Sequence, residues 1–132
     1  MTPTPTATAA SADQRGPFLA WQWAHYPENH RDARNLWVHV VTVPVFIAGL
    51  GAVVSSPFAG WWLAPAGLGA MALAMALQGR THRLEAVPPI PFEGPGDVVR
   101  RIFAEQLVTF PRFVLSGGLA RAWRAARAPR PD

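Results

Sequence analysis

Four histidines are the residues of this sequence best suited to chemistry, and two of them have polar companions at helical spacing. Imidazole is the commonest side-chain metal ligand and also titrates near neutral pH. Asn35 and His39 are four residues apart, and His82 and Glu85 are three apart, so each pair shares one face of a helix. Glu85 is therefore a candidate metal ligand, or an acceptor that orients the ring of His82.

His30 and His39 can serve one site only if the chain bends between them. Nine residues along one unbroken helix place two side chains on opposite sides of it. Asp32 or Asn35 is suited to cap a helix that begins in this stretch. The remaining histidine, His25, lies outside this pattern, and we expect it at an interface or on the surface.

A site built from these side chains would bind a metal through nitrogen and oxygen atoms. The sequence has no cysteine, which excludes disulfides, thiolate metal sites and thiol nucleophiles. Nitrogen and oxygen ligands suit iron, zinc or manganese. The residues leave two interpretations open, a metal centre and a set of hydrogen bonds between helices.

The segments that carry these residues are typical of membrane helices. Only 15% of the residues are charged, against a usual share of about 25%, and none is charged between Arg34 and Arg80. Soluble proteins need charge on the exposed faces of their helices. Residues 36–54 and 58–77 are each about long enough to cross a bilayer, and the Ser-Ser-Pro sequence at 55–57 is the predicted turn. A buried hairpin in a soluble protein is the alternative.

Arginines flank the two predicted spans on one side only. Arg31 and Arg34 precede the first span, and Arg80 and Arg83 follow the second. The positive-inside rule then predicts a multi-pass membrane protein with both termini in the cytoplasm. Because the arginines flank apolar segments instead of forming one dense patch, the net charge of +4 does not indicate a nucleic-acid partner.

Amphipathic helices are predicted outside the spans. Aromatic residues dominate 17–26, which indicates a short helix at the membrane interface. After the proline-rich stretch 87–96, Asp97 is the expected N-cap of a helix over 98–110, which Pro111 interrupts. The apolar positions of that helix recur at helical spacing: Val99, Ile102, Phe103 and Leu107.

The fold prediction is all-α, with one helical membrane domain over residues 17–127. It comprises the N-terminal interfacial helix, a two-span helical hairpin and amphipathic C-terminal helices. The basic segment 119–127 suits an anionic membrane surface as well as it suits a solvated end helix. Residues 1–16 are expected to be a disordered tail and 128–132 a second tail.

Two short strings of residues resemble the signatures of a known family. The first has five residues at fixed spacing: Tyr26, His30, Asn35, His39 and Pro44. The second follows the second apolar segment: His82, Glu85 and Pro88. They resemble the fungal 2-hydroxy fatty acid dioxygenase family, long known only as a membrane domain of unknown function. The resemblance covers residues 26–89 and is that of a divergent, bacterial-type member, for which the bacterial inner membrane is the expected location.

This resemblance implies a membrane-embedded, iron(II)-dependent dioxygenase that shortens 2-hydroxy fatty acids by one carbon in α-oxidation. The implied iron ligands are His30, His39 and His82. O2 and the hydroxy-carboxylate of the substrate would bind at open positions of the iron, with the acyl chain along the apolar spans. Tyr26 would orient a ligand or the substrate, and Asn35 and Glu85 would be polar supports or supply a fourth ligand.

A non-catalytic membrane scaffold is the alternative of a different class. In such a protein the histidines and Asn35 would only form hydrogen bonds between helices, while Trp and Arg residues anchor the chain in the bilayer. The two hypotheses differ in whether three histidine rings converge on one point. The short hairpin buries little surface by itself, which leaves a homodimer open.

Overall fold

The computed structural model describes residues 16–129, and every regular element in that part of the chain is helical. The elements are α1 (Phe18–His25) with a 3-10 turn (Tyr26–Asn29), α2 (Ala33–Ala59), α3 (Leu63–His82), α4 (Pro95–Ala104), a π-helical turn (Glu105–Thr109), α5 (Phe110–Leu115) and α6 (Gly118–Arg127). The all-α prediction is confirmed for these residues. Most of the two predicted tails, at 1–15 and 130–132, lies outside the described part.

Helices α2 and α3 form a closely packed antiparallel hairpin. Gly49 of α2 and Gly67 of α3 lie at the crossing, where a Cβ added at either would collide with the backbone carbonyl of the other. Small residues allow this approach of two helix backbones. The hairpin thereby brings the beginning of α2 and the end of α3 to the same end of the protein.

The turn predicted at 55–57 is wrong, because α2 continues through it to Ala59. Pro57 has no N–H to donate to the carbonyl of Val53, and the Ser56 hydroxyl donates to that carbonyl instead, at 2.8 Å. A local hydrogen bond thus replaces the one that proline removes. The chain reverses at Gly60, whose φ of 142° favours glycine.

Among the helices of residues 16–129, α2 alone is long and apolar enough to cross a membrane. Its 27 residues span about 40 Å at 1.5 Å per residue. The predicted second span is shifted, since α3 begins at Leu63 and ends in the polar residues Arg80, Thr81 and His82. One candidate span is therefore established, and the two-span topology is not.

The C-terminal helices close one end of the hairpin and hold α1 against it. Arg100 of α4 lies 4.2 Å from the ring centre of Phe18, and Arg112 of α5 lies 4.1 Å from that of Trp23. Such cation–π contacts join α1 to the later helices. The apolar core beneath them contains Tyr26, Leu36, Val43, Phe110 and Phe113.

Helix α4 starts three residues earlier than predicted. Gly94 is its N-cap and Pro95 its first residue, a position where the missing proline N–H costs no helical bond. Asp97 is therefore the third helical residue, and its carboxylate accepts the backbone N–H of Glu93 at 3.1 Å. Pro111 does not end the helical path, because the π-helical turn precedes it and Pro111 lies in the first turn of α5.

The buried face of this C-terminal helical path also differs from the predicted apolar positions. Val99 and Leu107 are exposed, whereas the polar Gln106 and Thr109 are buried. The polar residues are buried because they face the centre of the protein, where the predicted site residues meet.

Candidate metal centre

Three histidines and one glutamate converge at the open end of the hairpin, where α2 begins and α3 ends. Each of His30, His39, His82 and Glu105 offers a ligand atom, and these atoms lie within 4.8 Å of one another. The two Nε2 atoms of His30 and His39 are 3.4 Å apart, and they lie 3.5 and 3.3 Å from Glu105 Oε1. Atoms bonded to one ion at about 2.0–2.2 Å lie about 3.0–3.5 Å from each other, so the spacing fits a shared ion.

The bend required between His30 and His39 is present. His30 lies between the 3-10 turn and α2, with φ of −135° and ψ of 61°, and is followed by the N-cap Asp32. The Asp32 carboxylate accepts the backbone N–H of Arg34 at 2.8 Å, as the capping prediction requires. His39 is in the second turn of α2, and His82 is the last residue of α3.

Backbone carbonyls fix the tautomers of two of these rings. The Nδ1 of His30 lies 2.9 Å from the carbonyl of Tyr26, and the Nδ1 of His39 lies 2.9 Å from the carbonyl of Asn35. A carbonyl can only accept, so each Nδ1 carries the hydrogen and each neutral ring directs the Nε2 lone pair at the other ring. In this form two lone pairs and a carboxylate oxygen repel one another, and a cation between them, either a metal ion or a proton on Nε2, removes the repulsion.

Burial strengthens this requirement for a cation. His30 and His39 are 2% and 0% exposed. His82 has a buried ring nitrogen, Nδ1, without a hydrogen-bond partner in residues 16–129. Three neutral imidazoles and one carboxylate carry a single negative charge, and a divalent cation would compensate it. The donor set of nitrogen and oxygen atoms therefore fits a metal ion.

The carboxyl group of Glu105 is held in its ionised form. Burial by itself would raise its pKa, but hydrogen bonds and charge interactions with His30 and His39, when these rings carry a proton on Nε2, outweigh burial and keep the pKa well below its usual range. A metal ion in the place of those protons would act in the same direction. Tyr26 donates its hydroxyl to Glu105 Oε1 at 3.2 Å and stacks on His30, with ring centres 3.8 Å apart. Burial, followed by the charge of Glu105 and this hydrogen bond, raises the pKa of Tyr26 well above its usual range.

Glu105 was absent from the residues singled out by the sequence. It lies beyond the proline-rich stretch and belongs to neither family-like string. One signal was available, because Glu105 is three residues after Ile102 and therefore continues the apolar face of that helix. A carboxylate on such a face needs a buried partner, and the histidines are that partner.

Asn35 and Glu85 support the histidines from outside the cluster. The Glu85 carboxylate accepts the backbone N–H groups of Arg31 and Asp32 at 3.0 to 3.1 Å and the Asn35 amide at 2.7 Å. Thr81 in turn donates to the Asn35 amide oxygen at 2.8 Å. The partners of Glu85 are thus the backbone beside His30 and not the ring of His82, and Glu105 occupies the place of a fourth ligand.

A second buried group of polar side chains ties the π-helical turn to the hairpin. Gln78 donates to the hydroxyl of Thr42 at 2.8 Å, and Gln106 donates to the Gln78 amide oxygen at 2.8 Å. Gln106 directly follows Glu105. These bonds therefore fix the turn that carries the carboxylate.

A cavity of about 530 Å³ reaches the cluster from the side of α1. Tyr26, His30, His82 and Glu105 all contribute to its wall, and most of its remaining lining is apolar. The apolar part of the wall includes Trp21, Met75, Ile90, Phe92 and Ile102. His25 also lines the cavity, but its Nδ1 is bonded to the carbonyl of Trp21 at 2.8 Å, and His25 is outside the metal-binding group as expected.

Comparison of the chain with protein-family models, with curated proteins and with solved structures finds no match. The described residues establish an all-helical protein with one candidate membrane span and a group of three histidines and one glutamate that could hold a metal ion.

Proposed function

We propose that this protein is a membrane-embedded, iron(II)-dependent dioxygenase acting on 2-hydroxy fatty acids. The observation that carries the proposal is the meeting of three histidines and one glutamate with an apolar cavity of about 530 Å³. The motif resemblance to the 2-hydroxy fatty acid dioxygenase family supplies the substrate class. The site with its cavity and the motif resemblance are both consistent with an enzyme, and a scaffold needs neither of them.

The donor set favours iron among the metals that nitrogen and oxygen ligands suit. Histidines combined with one carboxylate, with positions left free, are typical of non-haem iron(II) oxygenases. Iron(II) bound there would supply the activation of O2. The chain itself holds Glu105 ionised, presents the Nε2 atoms of His30 and His39, and keeps both rings out of water.

The cavity fits the body of a fatty acyl chain. Ligand cavities usually measure about 300–1,000 Å³ and are mostly apolar with a few polar groups, and this one has its polar groups at the metal-binding end. Met75 and Gln78 of α3 contribute to its wall, so the cavity extends along the hairpin. An acyl chain lying there places its carboxyl end near the histidines.

The overall reaction balances with O2 as the sole oxidant. A 2-hydroxy fatty acid, R–CH(OH)–COOH, and one O2 give the acid R–COOH, CO2 and water. The bond between C1 and C2 breaks, C2 is oxidised to the new carboxyl carbon, and O2 is reduced. Because C1 leaves as CO2, we expect one CO2 released for each O2 consumed.

Insertion as a two-span hairpin with both termini in the cytoplasm completes the proposal. Buried residues make up only 28% of the most apolar 18-residue window of α2, whereas the core helix of a soluble protein is mostly buried. Large apolar side chains are exposed along both helices and at their connection, among them Trp37, Val41, Val54, Phe58, Trp61, Leu68 and Leu73. Lipid would cover these side chains.

A membrane scaffold is the second candidate, and one observation favours it. Asn35, Thr42, Gln78, Thr81 and Gln106 form buried hydrogen bonds between helices, as a scaffold would require. Those bonds do not involve the Nε2 atoms of the histidines. A scaffold therefore does not require that three histidines converge on one carboxylate.

Iron content of detergent-purified protein separates the two candidates. Protein prepared without oxygen and offered iron(II) should bind about one iron per chain, and His39→Ala should lose it. His25→Ala is the matched control and should keep its iron, because His25 lies outside the group. Wild-type protein that binds no metal would favour the scaffold, whereas bound iron justifies oxygen-uptake assays with 2-hydroxy fatty acids and a CO2 count.

A further inference from the structure

The cavity wall includes two arginines with different surroundings, Arg83 and Arg101. Arg101 is engaged by the protein, since it donates to the carbonyls of Ile90 and Pro91 at 2.8 and 3.1 Å and lies over the ring of Phe92 at 4.5 Å. These contacts hold the proline-rich segment against α4. Arg101 is therefore part of the construction of the wall.

Arg83 has no such role. Within residues 16–129 no hydrogen bond, ion pair or ring contact involves its side chain, which is exposed at the cavity. The glutamate nearest in sequence, Glu85, and the glutamate that lines the same cavity, Glu105, both interact with other groups. Glu85 accepts from the backbone of Arg31 and Asp32, and Glu105 faces the histidines.

We propose that Arg83 binds the carboxylate of a long-chain acid whose hydrocarbon chain occupies the cavity. The residue fits this ligand class in charge and in position. One guanidinium complements one carboxylate and can bond to both of its oxygens. Phosphate sites usually combine several donors, and in this cavity Arg83 is the single cation that the described residues leave without a partner.

The inference rests on the proposed function for the identity of the acid. Arg83 directly follows His82, so a carboxylate bound by Arg83 is held at the end of the cavity that contains the metal-binding group. In a 2-hydroxy acid the carbon that is oxidised is bonded to the carboxyl carbon. The same contact would therefore select for acids and bring C2 toward the histidines.

A binding experiment without iron or turnover tests Arg83 separately from the enzymatic proposal. The probes are a stearic acid that carries a doxyl quencher at carbon 16 and the methyl ester of the same molecule. Both should quench tryptophan fluorescence when they bind, because Trp21 lines the cavity. Wild-type protein in detergent micelles should bind the acid about tenfold more tightly than the ester, the lower range for a hydrogen bond to a charged group.

Arg83→Gln should abolish this preference for the acid. The matched Arg80→Gln should retain it, because Arg80 lies in the last turn of α3, three residues before Arg83, but not on the cavity wall. The acid and the ester partition differently into micelles, but this difference is the same for every variant, so it cancels when the acid-to-ester affinity ratio is compared between variants. Retention of the preference in Arg83→Gln, or its absence in the wild type, would overturn the inference. Displacement of the probe by phosphatidic acid but not by palmitate would also overturn it and assign Arg83 to a lipid phosphate.

If the proposed enzymatic function is wrong, the experiments give a different result from the one expected if the role of Arg83 is wrong. A chain that binds neither iron nor O2 can still show the acid preference and its loss in Arg83→Gln. An iron-loaded enzyme with the same affinity for acid and ester would instead keep the proposed function and refute the role of Arg83.

Discussion

Glu105 supplies the single negative charge of the candidate metal centre. It lies 3.5 and 3.3 Å from the Nε2 atoms of His30 and His39, and Tyr26 donates to the same carboxylate oxygen. Three neutral imidazoles can bind a divalent cation, but they do not compensate its charge. The carboxylate therefore has two effects, coordination and charge compensation, and removal of its charge should affect both.

Glu105→Gln should weaken iron(II) binding at least tenfold. Even partners outside the ligand set typically change metal affinity about 10- to 100-fold, and a ligand matters at least as much. Titration of anaerobic protein with iron(II), followed by metal analysis, measures the change. Glu28→Gln removes the same charge from an exposed position and should bind iron like the wild type. Equal affinities for Glu105→Gln and the wild type would exclude Glu105 as a ligand.

Tyr26 is the only tyrosine of the sequence, so its titration can be followed directly. Its pKa is raised by burial first and by Glu105 second, so the phenolate should appear well above the ordinary pH of about 10. The raised pKa means that the neutral form of Tyr26 stabilises the folded protein. Its contribution to the free energy of unfolding is complete below about pH 10, and it is lost as the pH rises from there through the raised pKa of the folded state.

Absorbance near 295 nm records this titration, and circular dichroism reports whether the protein is still folded. Tyr26→Phe should remove the absorbance change and the loss of stability that accompanies it. A phenolate that forms at about pH 10 in protein with full helical signal would contradict the buried hydrogen bond to Glu105.

The histidines could be predicted at this scale, whereas the sequence offered for Glu105 only its position on an apolar helix face and no indication of its partners. The spacing of His30 and His39 demanded a bend, and the bend exists. Glu105 reaches the histidines through contacts between residues far apart in the chain, after a proline-rich stretch and at a π-helical turn that no local pattern announces. Glu85 was the predicted carboxylate of the site because it is near His82 in sequence. Its carboxylate instead accepts the backbone N–H of Arg31.

At the scale of the elements, the crossing of α2 and α3 determines whether His39 and His82 can meet. The two helices approach most closely where Gly49 faces Gly67, and a Cβ on Gly67 would also reach Val53. The helices cannot separate there without moving the ends that carry the site. Packing at this crossing therefore affects the positions of the candidate metal ligands at a distance.

Gly67→Ala should destabilise the hairpin by about 1–3 kcal/mol, the usual cost of overpacking a close contact. Gly69→Ala is the matched control, since a Cβ at Gly69 meets nothing within 4 Å and alanine favours a helix by up to about 1 kcal/mol. Unfolding in mixed micelles of increasing SDS content, followed by far-UV circular dichroism, compares the two. Equal stabilities would show that the helices do not cross at Gly49 and Gly67.

The sequence predicted a helix boundary correctly where a side chain caps the helix. It did not predict that a helix continues where a side chain replaces the hydrogen bond that proline removes. Asp32 begins α2 as its carboxylate chemistry indicated. Ser56 and Pro57 have turn-forming composition, but the serine hydroxyl satisfies the carbonyl that proline leaves free, so the helix continues. The same residue types thus favour opposite outcomes, and the packing of the whole hairpin decides between them.

At the scale of the whole molecule, the distribution of exposed apolar surface requires an explanation. Phe58 and Trp61 near the helix connection are 92% and 82% exposed, and α2 keeps most of its apolar length uncovered. The metal-binding group lies at the opposite end, beside the arginines that flank the hairpin. A bilayer around the middle, aromatic rings at one face and arginines at the other would account for this distribution.

The absence of cysteine makes that arrangement testable with single introduced thiols. Ala59→Cys lies at the hairpin connection, whereas Glu28→Cys and Leu84→Cys lie at the end with the metal-binding group. In intact cells a membrane-impermeant maleimide should label Ala59→Cys, and it should label the other two only after the inner membrane is opened. This pattern requires α2 and α3 both to cross, because Glu28 and Leu84 flank the hairpin on the same side. If Leu84→Cys and Ala59→Cys are labelled in intact cells and Glu28→Cys is not, α2 alone spans the membrane. His82 could then not lie beside His39, and the proposed metal centre would be wrong together with the hairpin.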